Sequence, residues 1–222
     1  LPPLRLLHRH ALQHEPVPAK AWFRFWAPTR GSWWMAILFI IGSALFALGA
    51  ALSMVPDLRS PWWPQPLVNN LIFFVGSIFF TAAATLQLLQ SINADISAPD
   101  FGVARRPWRW FAWRPRNLGY LSSLIQFIGT ILFNINTGDA LLPDLTTTEK
   151  NLAIWTPNLA GSACFLVSSL LGYLEVAHRI GAFNFRDLTM WIASCNNLGS
   201  IAFQIAAVAS FTLATDETWW IG

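Results

Sequence analysis

Charged side chains are scarce in this sequence, and its long apolar stretches have none near their centres. Lys, Arg, Asp and Glu make up 11% of the 222 residues, whereas soluble domains carry about 25%. Charged residues within a membrane usually mark proton relays, ion-coupled pumps or voltage sensors. Their absence from the middle of every apolar stretch therefore counts against all three classes of protein.

Cysteine and histidine are also few, and their positions favour no reaction chemistry. The two cysteines, Cys164 and Cys195, exclude a disulfide-rich secreted scaffold. We interpret both as small apolar fillers, although their depths in neighbouring helices would allow them to meet. No His lies near the middle of an apolar stretch, so no pair of haem ligands is available. We expect no cofactor and no metal site.

Apolar residues are abundant and make up 55% of the chain. They form five stretches that each reach the ~20 residues needed to cross a membrane as a helix. We place the five helices at about residues 33–55, 67–92, 118–137, 157–178 and 189–213. The sequence therefore predicts an all-α, polytopic transmembrane helix bundle.

The helices are expected to form repeated two-helix units. Trp26 and Pro28 precede the first helix at the same spacing as Trp113 and Pro115 precede the third. We divide the chain into a basic N-terminal arm at the cytoplasmic face or membrane interface (1–32), helices 1 and 2 (33–92), a basic Trp-rich cytoplasmic loop (93–117), helices 3 and 4 (118–178), and helix 5 with the start of a third unit (179–222). A sixth helix is expected to follow helix 5 in the full chain.

A five-residue motif of Gly, Ser or Thr, two apolar residues and Phe lies near the centre of every apolar stretch. Its defining residues are Gly42, Ser43 and Phe46; Gly76, Ser77 and Phe80; Gly129, Thr130 and Phe133; Gly161, Ser162 and Phe165; and Gly199, Ser200 and Phe203. Small residues let helices approach closely in a membrane, where close packing and hydrogen bonds hold helices together. We interpret the motif as a helix-packing element, and ligand binding by the Gly-Ser pairs is the alternative.

Amide side chains are the main polar groups of the apolar stretches. Those that could line a polar track are Asn69, Asn70, Gln126, Asn134, Asn136, Asn158, Asn196 and Gln204. The favoured interpretation is hydrogen bonding between helices, which is worth about 0.6 kcal/mol per bond in membranes. The alternative is a polar track for a small uncharged solute, or a site for a lipid headgroup.

Basic residues are distributed unevenly between the two ends of the helices. Twelve of the fourteen Lys and Arg lie on the side of the N-terminal arm and the 93–117 loop. Because basic loops stay in the cytoplasm, we place the N-terminus there. This asymmetry, and not nucleic-acid binding, accounts for the net charge of +3. The loop arginines, Arg105, Arg106, Arg109, Arg114 and Arg116, are predicted to contact anionic lipid.

A single pair of residues suggests an enzymatic site. Glu175 and His178, at the cytoplasmic end of helix 4, have the spacing of a di-iron ligand pair. Such sites need two of these pairs and two further Glu, so a complete site is not predicted. His178 is more simply a favourable partner for the helix dipole.

The Trp-led helices with a central Gly-Ser-x-x-Phe resemble the YrhK-like family of bacterial membrane proteins. The matching residues are Trp155, Pro157, Asn158, Gly161, Ser162 and Phe165 in helix 4, and Trp191, Asn197, Gly199, Ser200 and Phe203 in helix 5. This resemblance implies a multi-pass protein of the bacterial cytoplasmic membrane. It implies no established activity and no catalytic residues.

These observations predict a non-enzymatic scaffold or a subunit of a membrane complex. The expected partners are the lipid bilayer, with anionic lipid at the cytoplasmic face, and a membrane protein or a second copy of the chain. A facilitator for a small uncharged solute is the second hypothesis, and a membrane enzyme using Glu175 and His178 is the third.

Overall fold

The structure is a computed structural model, and it describes residues 26–28, 30–55, 67–94, 107–177 and 187–219, with side chains as far as Phe211. Within these ranges the chain forms helices and contains no strand. The helices are α1 (Gly31–Met54), α2 (Leu67–Ile92), α3 (Leu118–Asp139), α4 (Thr147–Lys150), α5 (Thr156–Ala177) and α6 (Leu188–Trp219), with a π-helical turn (Asn151–Trp155) between α4 and α5.

Five segments of the described chain are long and apolar enough to cross a membrane. They are α1, α2, α3, the continuous helix Thr147–Ala177 and the Leu188–Phe211 part of α6. The prediction of an all-α, multi-pass membrane helix bundle is confirmed.

The bundle buries its small and hydroxyl side chains and exposes its large apolar ones. Ser77, Thr130 and Ser162 are at most 1% exposed, whereas Ile40 is 63% and Leu198 is 69% exposed. This arrangement suits a lipid solvent, because large apolar side chains gain nothing by leaving lipid and small ones let helices pack closely. The surface of the bundle is therefore the surface that contacts acyl chains.

The helix that contains α5 begins earlier than the sequence predicts. We expected a start near residue 157, but α4 begins at Thr147, with a capping box between Thr146 and Glu149. Pro157 has no N–H to donate to the carbonyl four residues earlier, and its ring crowds that carbonyl. The chain passes this point through the π-helical turn, in which the Thr156 N–H and hydroxyl both donate to the Asn151 carbonyl. The proline therefore interrupts the helix without ending it.

The spanning helices pack in the order α1, α2, α3, α5 and α6. Each helix therefore has its two neighbours in this order as main partners, except the two at the ends. Within the described residues, α6 packs on α5 and on the π-helical turn.

The segment that leads into α3 is fixed to the end of α2 through its backbone. The Asn93 amide donates to the Arg109 carbonyl at 2.7 Å, and the Arg109 N–H donates to the Asn93 side-chain oxygen at 2.9 Å. Asn117 then caps α3 by accepting from the Tyr120 N–H at 2.8 Å. These bonds hold residues 107–117 against the bundle.

Candidate functional site

The motif residues of α1 and α2 contact each other reciprocally. A Cβ added at Gly42 would come within 2.5 Å of the Phe80 ring, and one added at Gly76 within 2.8 Å of the Phe46 ring. Each glycine thus lies directly beneath the motif phenylalanine of the other helix. We number motif positions from the glycine as 0, which makes the phenylalanine position +4.

The motif residues of α3 and α5 also contact each other, but here Gly129 lies beneath a motif phenylalanine whereas Gly161 lies against the backbone of α3. A Cβ at Gly129 would lie 3.0 Å from the Phe165 ring, and one at Gly161 would lie 3.2 Å from the Gly129 carbonyl and 3.6 Å from the Phe133 N. The absence of a side chain is therefore required for the close approach of both helix pairs.

The five motif phenylalanines form a connected aromatic cluster. The Phe46 ring stacks on Phe80 with centroids 5.0 Å apart and meets Phe133 edge-on at 5.5 Å. Phe133 in turn contacts Phe165 at 6.3 Å and Phe203 at 5.4 Å. The motif therefore brings one ring from every spanning helix to the centre of the bundle.

A cavity of about 300 Å³ adjoins this aromatic cluster. All five motif phenylalanines line it, together with motif hydroxyls, Gln126, Cys195 and Asn196. Ser77, Thr130 and Ser200 lie among its walls but donate or share their hydroxyls with helix carbonyls or neighbouring side chains. The cavity is consequently lined mainly by apolar groups, with the two amide side chains of Gln126 and Asn196 among them.

The amide side chains at the start of α2 and those on the C-terminal side of the α3 motif are joined to neighbouring helices, as are Asn158 and Gln204. Asn69 donates to Ser53, Asn70 to the Ala140 carbonyl, and Asn134 to Thr81, at 2.7–2.8 Å. Asn136 donates to Asn158 at 3.2 Å, and Ser162 donates to Gln204 at 3.0 Å. These bonds link each helix to its neighbour in the packing order.

The amides that line the cavity differ from each other in their hydrogen bonding. Gln126 accepts from Gln87 at 3.3 Å and from Ser168 at 3.4 Å. Asn196 is exposed, and its side chain bonds to none of the described residues. Asn196 is therefore the one amide of the cavity lining whose side chain makes no hydrogen bond to a described residue.

The motif hydroxyls have a common local role in three helices. Ser77, Thr130 and Ser162 each donate to the carbonyl three residues earlier in the same helix. Such a bond lowers the cost of burying a hydroxyl group in lipid. Ser43, at the same motif position, is exposed on α1.

The two cysteines are free thiols in different surroundings. Cys164 packs against Gly129 on α3, whereas Cys195 is exposed on α6 at the cavity. Among the described residues, no three His, Cys, Asp or Glu side chains are grouped as metal ligands would be.

Glu175, near the end of α5, places its carboxylate beside the first turn of α3. A Cβ at Gly119 would come within 2.6 Å of its carboxylate, so the carboxylate packs directly on this glycine. The positive end of the helix dipole favours a negative charge at this place. His178 lies outside the described residues.

The described part of the 93–117 loop presents basic and aromatic side chains at the surface. Arg109 and Arg116 are exposed and Arg114 is half-buried. Trp110, Phe111 and Trp113 are 67–78% exposed. Arg105 and Arg106 lie outside the described residues.

Comparisons with protein-family models, with curated proteins and with solved structures found no match to this chain.

Proposed function

We propose that this protein is a non-enzymatic scaffold of the bacterial cytoplasmic membrane that acts as a subunit of a membrane complex. The observation that carries this proposal is the use of the polar side chains. Seven of the eight amides assigned to a polar track bond a neighbouring helix, and Asn196 remains. Interhelical bonds specify packing, and this favours a structural role for the amides.

The aromatic cluster argues further against a conduit. Along α3, Phe133 lies between Gln126 and Asn136 on the same helix face, because these residues are seven and three positions away. Phe133 is only 8% exposed and contacts three other motif rings. A solute moving from the outer amides to the inner ones would have to displace this ring.

The experiment that tests the scaffold proposal is extraction of the full-length protein in a mild detergent from its native membrane. We expect a stable complex with a membrane protein, identified by mass spectrometry after crosslinking in intact cells. A protein that elutes as a monomer, with no crosslinked partner in several detergents, would overturn the proposal.

The second candidate is a facilitator for a small uncharged solute, favoured by the cavity with its unengaged Asn196. Flux of such a solute into proteoliposomes would have to fall with Asn136→Leu and Asn158→Leu. A facilitator also predicts faster flux when Phe133→Ala opens the aromatic cluster. No flux above that of protein-free liposomes would remove this candidate.

The packing of the Glu175 carboxylate of α5 on Gly119 of α3 favours a structural role for Glu175 over a catalytic one. A substitution tests the enzyme hypothesis directly. We expect His178→Ala to leave any activity of the isolated complex unchanged. Loss of an activity in this variant, with the protein still folded, would restore the hypothesis.

We further propose that the N-terminus and the 93–117 loop are cytoplasmic and that the loop contacts anionic lipid. The distribution of Lys and Arg and the exposed Trp110 and Trp113 support this orientation, because basic residues stay inside and Trp concentrates at the membrane interface. Labelling of an engineered cysteine at Arg116 only after the inner face is made accessible would agree with it. Labelling from outside intact cells would contradict it.

A further inference from the structure

The exposed surface of α6 has two chemically different sides. One side consists of large apolar residues, Leu198, Ile201, Ile205 and Val208, which are 40–69% exposed. The other side consists of small or polar residues, Cys195, Asn196, Gly199, Ala202 and Ala206, which are also exposed. We call this second set the small side of α6. Its residues recur at three- and four-residue spacings and therefore share a helix face.

Acyl chains suit the large side of α6 and do not suit the small side. An amide without a partner in hydrocarbon costs several kcal/mol, and the Asn196 amide is exposed near the middle of the helix. Nothing lies within 4 Å of a Cβ built at Gly199. Small residues on a membrane helix normally serve the close approach of another helix.

The two helix pairs of the bundle show what occupies this face elsewhere. In α1 and α2, Gly42 meets Phe80, Phe46 meets Gly76, and Gly49 meets Phe73. Asn69 also bonds Ser53. In each of these contacts the motif positions of the two residues add to +4. Each glycine at position 0 meets a phenylalanine at +4, Gly49 at +7 meets Phe73 at −3, and Ser53 at +11 meets Asn69 at −7. A constant total is the signature of two antiparallel helices in a fixed register.

The α3 and α5 pair has the same register along its whole length. Ser122 also bonds Ser168, about one helical turn away from this alignment. The contacts that follow the register are Gly119 with Glu175, Ser122 with Gly172, Gln126 with Ser168, Gly129 with Phe165, Phe133 with Gly161, and Asn136 with Asn158. Each of them again joins motif positions that add to +4. The face that carries positions −3, 0, +4 and +7 is therefore the pairing face of all four helices.

On α6 this pairing face has no partner among the described residues. Position −3 is Asn196 and position +7 is Ala206, both exposed, and position 0 is Gly199, with nothing above it. The bonds of α6 to α5 use a different side, since Asn197 donates to Ser169 and Gln204 accepts from Ser162. Only Phe203, at position +4, is engaged, through the aromatic cluster.

The register restricts which helix can cover this face. The partner must run antiparallel to α6, but a second copy in the same membrane orientation would present its own α6 in parallel. The helices that run in the required direction, α2 and α5, already use their pairing faces against α1 and α3. In both existing pairs the partners are consecutive spanning helices of the same chain.

We propose that the small side of α6 is the docking surface of a sixth transmembrane helix, which follows α6 in the same chain and runs antiparallel to it. In the shared register, a phenylalanine of that helix rests on Gly199 and a small residue four positions earlier receives Phe203. A hydrogen-bonding side chain three residues beyond the phenylalanine engages Asn196. This inference holds whether or not the protein is a scaffold.

Photo-crosslinking of the full-length chain in its native membrane tests the proposal. A photoreactive residue replaces Ala206 on the small side, and in the matched control it replaces Ile205 on the large side. We expect the probe at 206 to join a peptide from the same chain that lies beyond α6, as mapped by mass spectrometry, and the probe at 205 to join lipid. Crosslinks from 206 to lipid, to a second copy or to another polypeptide, or a full-length product without a span after α6, would overturn the proposal.

Substitution of Gly199 gives a second measurement. If a phenylalanine rests on this glycine, Gly199→Ala lowers the denaturation midpoint of the full-length chain by an amount similar to that of Gly42→Ala. Gly172→Ala is the control, because its Cβ would meet only the Ser122 hydroxyl at 3.4 Å. A Gly199→Ala midpoint equal to or above that of the unsubstituted protein would contradict the docking of a helix there.

Discussion

Individual glycines of the motif differ in what their missing side chain allows. Gly42, Gly76 and Gly129 lie in van der Waals contact with phenylalanine rings of the facing helix, and Gly161 lies against the backbone of α3 at Gly129. Gly199 faces open space. The sequence predicts that all five glycines allow close packing of another helix. In the described structure another helix packs against the first four, and none packs against Gly199.

We predict that Gly42→Ala destabilises the protein. Its Cβ would lie 2.5 Å from the Phe80 ring and 3.1 Å from the Gly76 carbonyl, and overpacking of this kind costs about 1–3 kcal/mol. This loss exceeds the gain of up to about 1 kcal/mol in helix propensity on replacing Gly by Ala. Reversible unfolding in mixed detergent micelles measures the free energy of unfolding. Equal stability of Gly42→Ala and the Gly172→Ala control would show that the close contact is not needed.

The two helix pairs, α1 with α2 and α3 with α5, share one alignment but are held by different kinds of contact. In α3 and α5 the pairing face combines glycine–phenylalanine packing near the middle with amide and hydroxyl bonds on either side. In α1 and α2 the positions that correspond to Asn136 and Asn158 are occupied by Gly49 and Phe73 instead. The register is therefore the common property of the two pairs, and the chemistry that supports it differs. That the chain is a repeat of two-helix units stays a prediction.

We predict a coupling free energy of about 0.6 kcal/mol between Asn136 and Asn158, which is the average for hydrogen bonds between membrane helices. Asn136→Ala, Asn158→Ala and the double variant complete a double-mutant cycle, with unfolding free energies as the measurement. The pair Asn136 and Asn70 is the control, since Asn70 bonds the Ala140 carbonyl instead. Additive effects of the 136 and 158 substitutions would mean that the 3.2 Å contact contributes no stability.

In the described structure the five spanning helices pack one after another from α1 to α6, and all five contribute a ring to one aromatic cluster. One motif ring from each spanning helix reaches the aromatic cluster, although α1 and α6 lie at opposite ends of the packing order. The cavity beside the cluster lies where α6 lacks a partner. At one end of the bundle, Asn93 fixes the basic Trp-rich segment, so exposed arginines and tryptophans are held at one level.

We predict that Arg109→Gln with Arg116→Gln weakens binding of anionic lipid. Each basic residue near a charged membrane contributes about 1 kcal/mol, so the double variant should lose roughly 2 kcal/mol. The measurement is the number of anionic lipids retained by the purified protein, counted by native mass spectrometry. Lys150→Gln, an exposed substitution at the opposite end of the bundle, should change nothing. Equal retention by all variants would locate the lipid contact elsewhere.

The fold class and the number of visible spans followed from the sequence, because a segment of ~20 apolar residues must be helical to satisfy its backbone hydrogen bonds in lipid. The motif also marked the residues that pack at the centre, since close helix approach depends locally on small residues. The early start of the helix before Pro157 did not follow, because a single π-helical turn is enough to pass a proline and leaves little trace in composition.

The partner of each polar or small residue was decided only by the tertiary structure. Asn158 and Asn196 occupy the same motif position, yet Asn158 bonds Asn136 whereas Asn196 is exposed. Their residue types and local sequences are alike, so the difference lies in which helix packs against them. Position within a helix is a local property that the sequence determines. The antiparallel register, and the absence of a described partner for α6, arise from contacts between residues far apart in the chain.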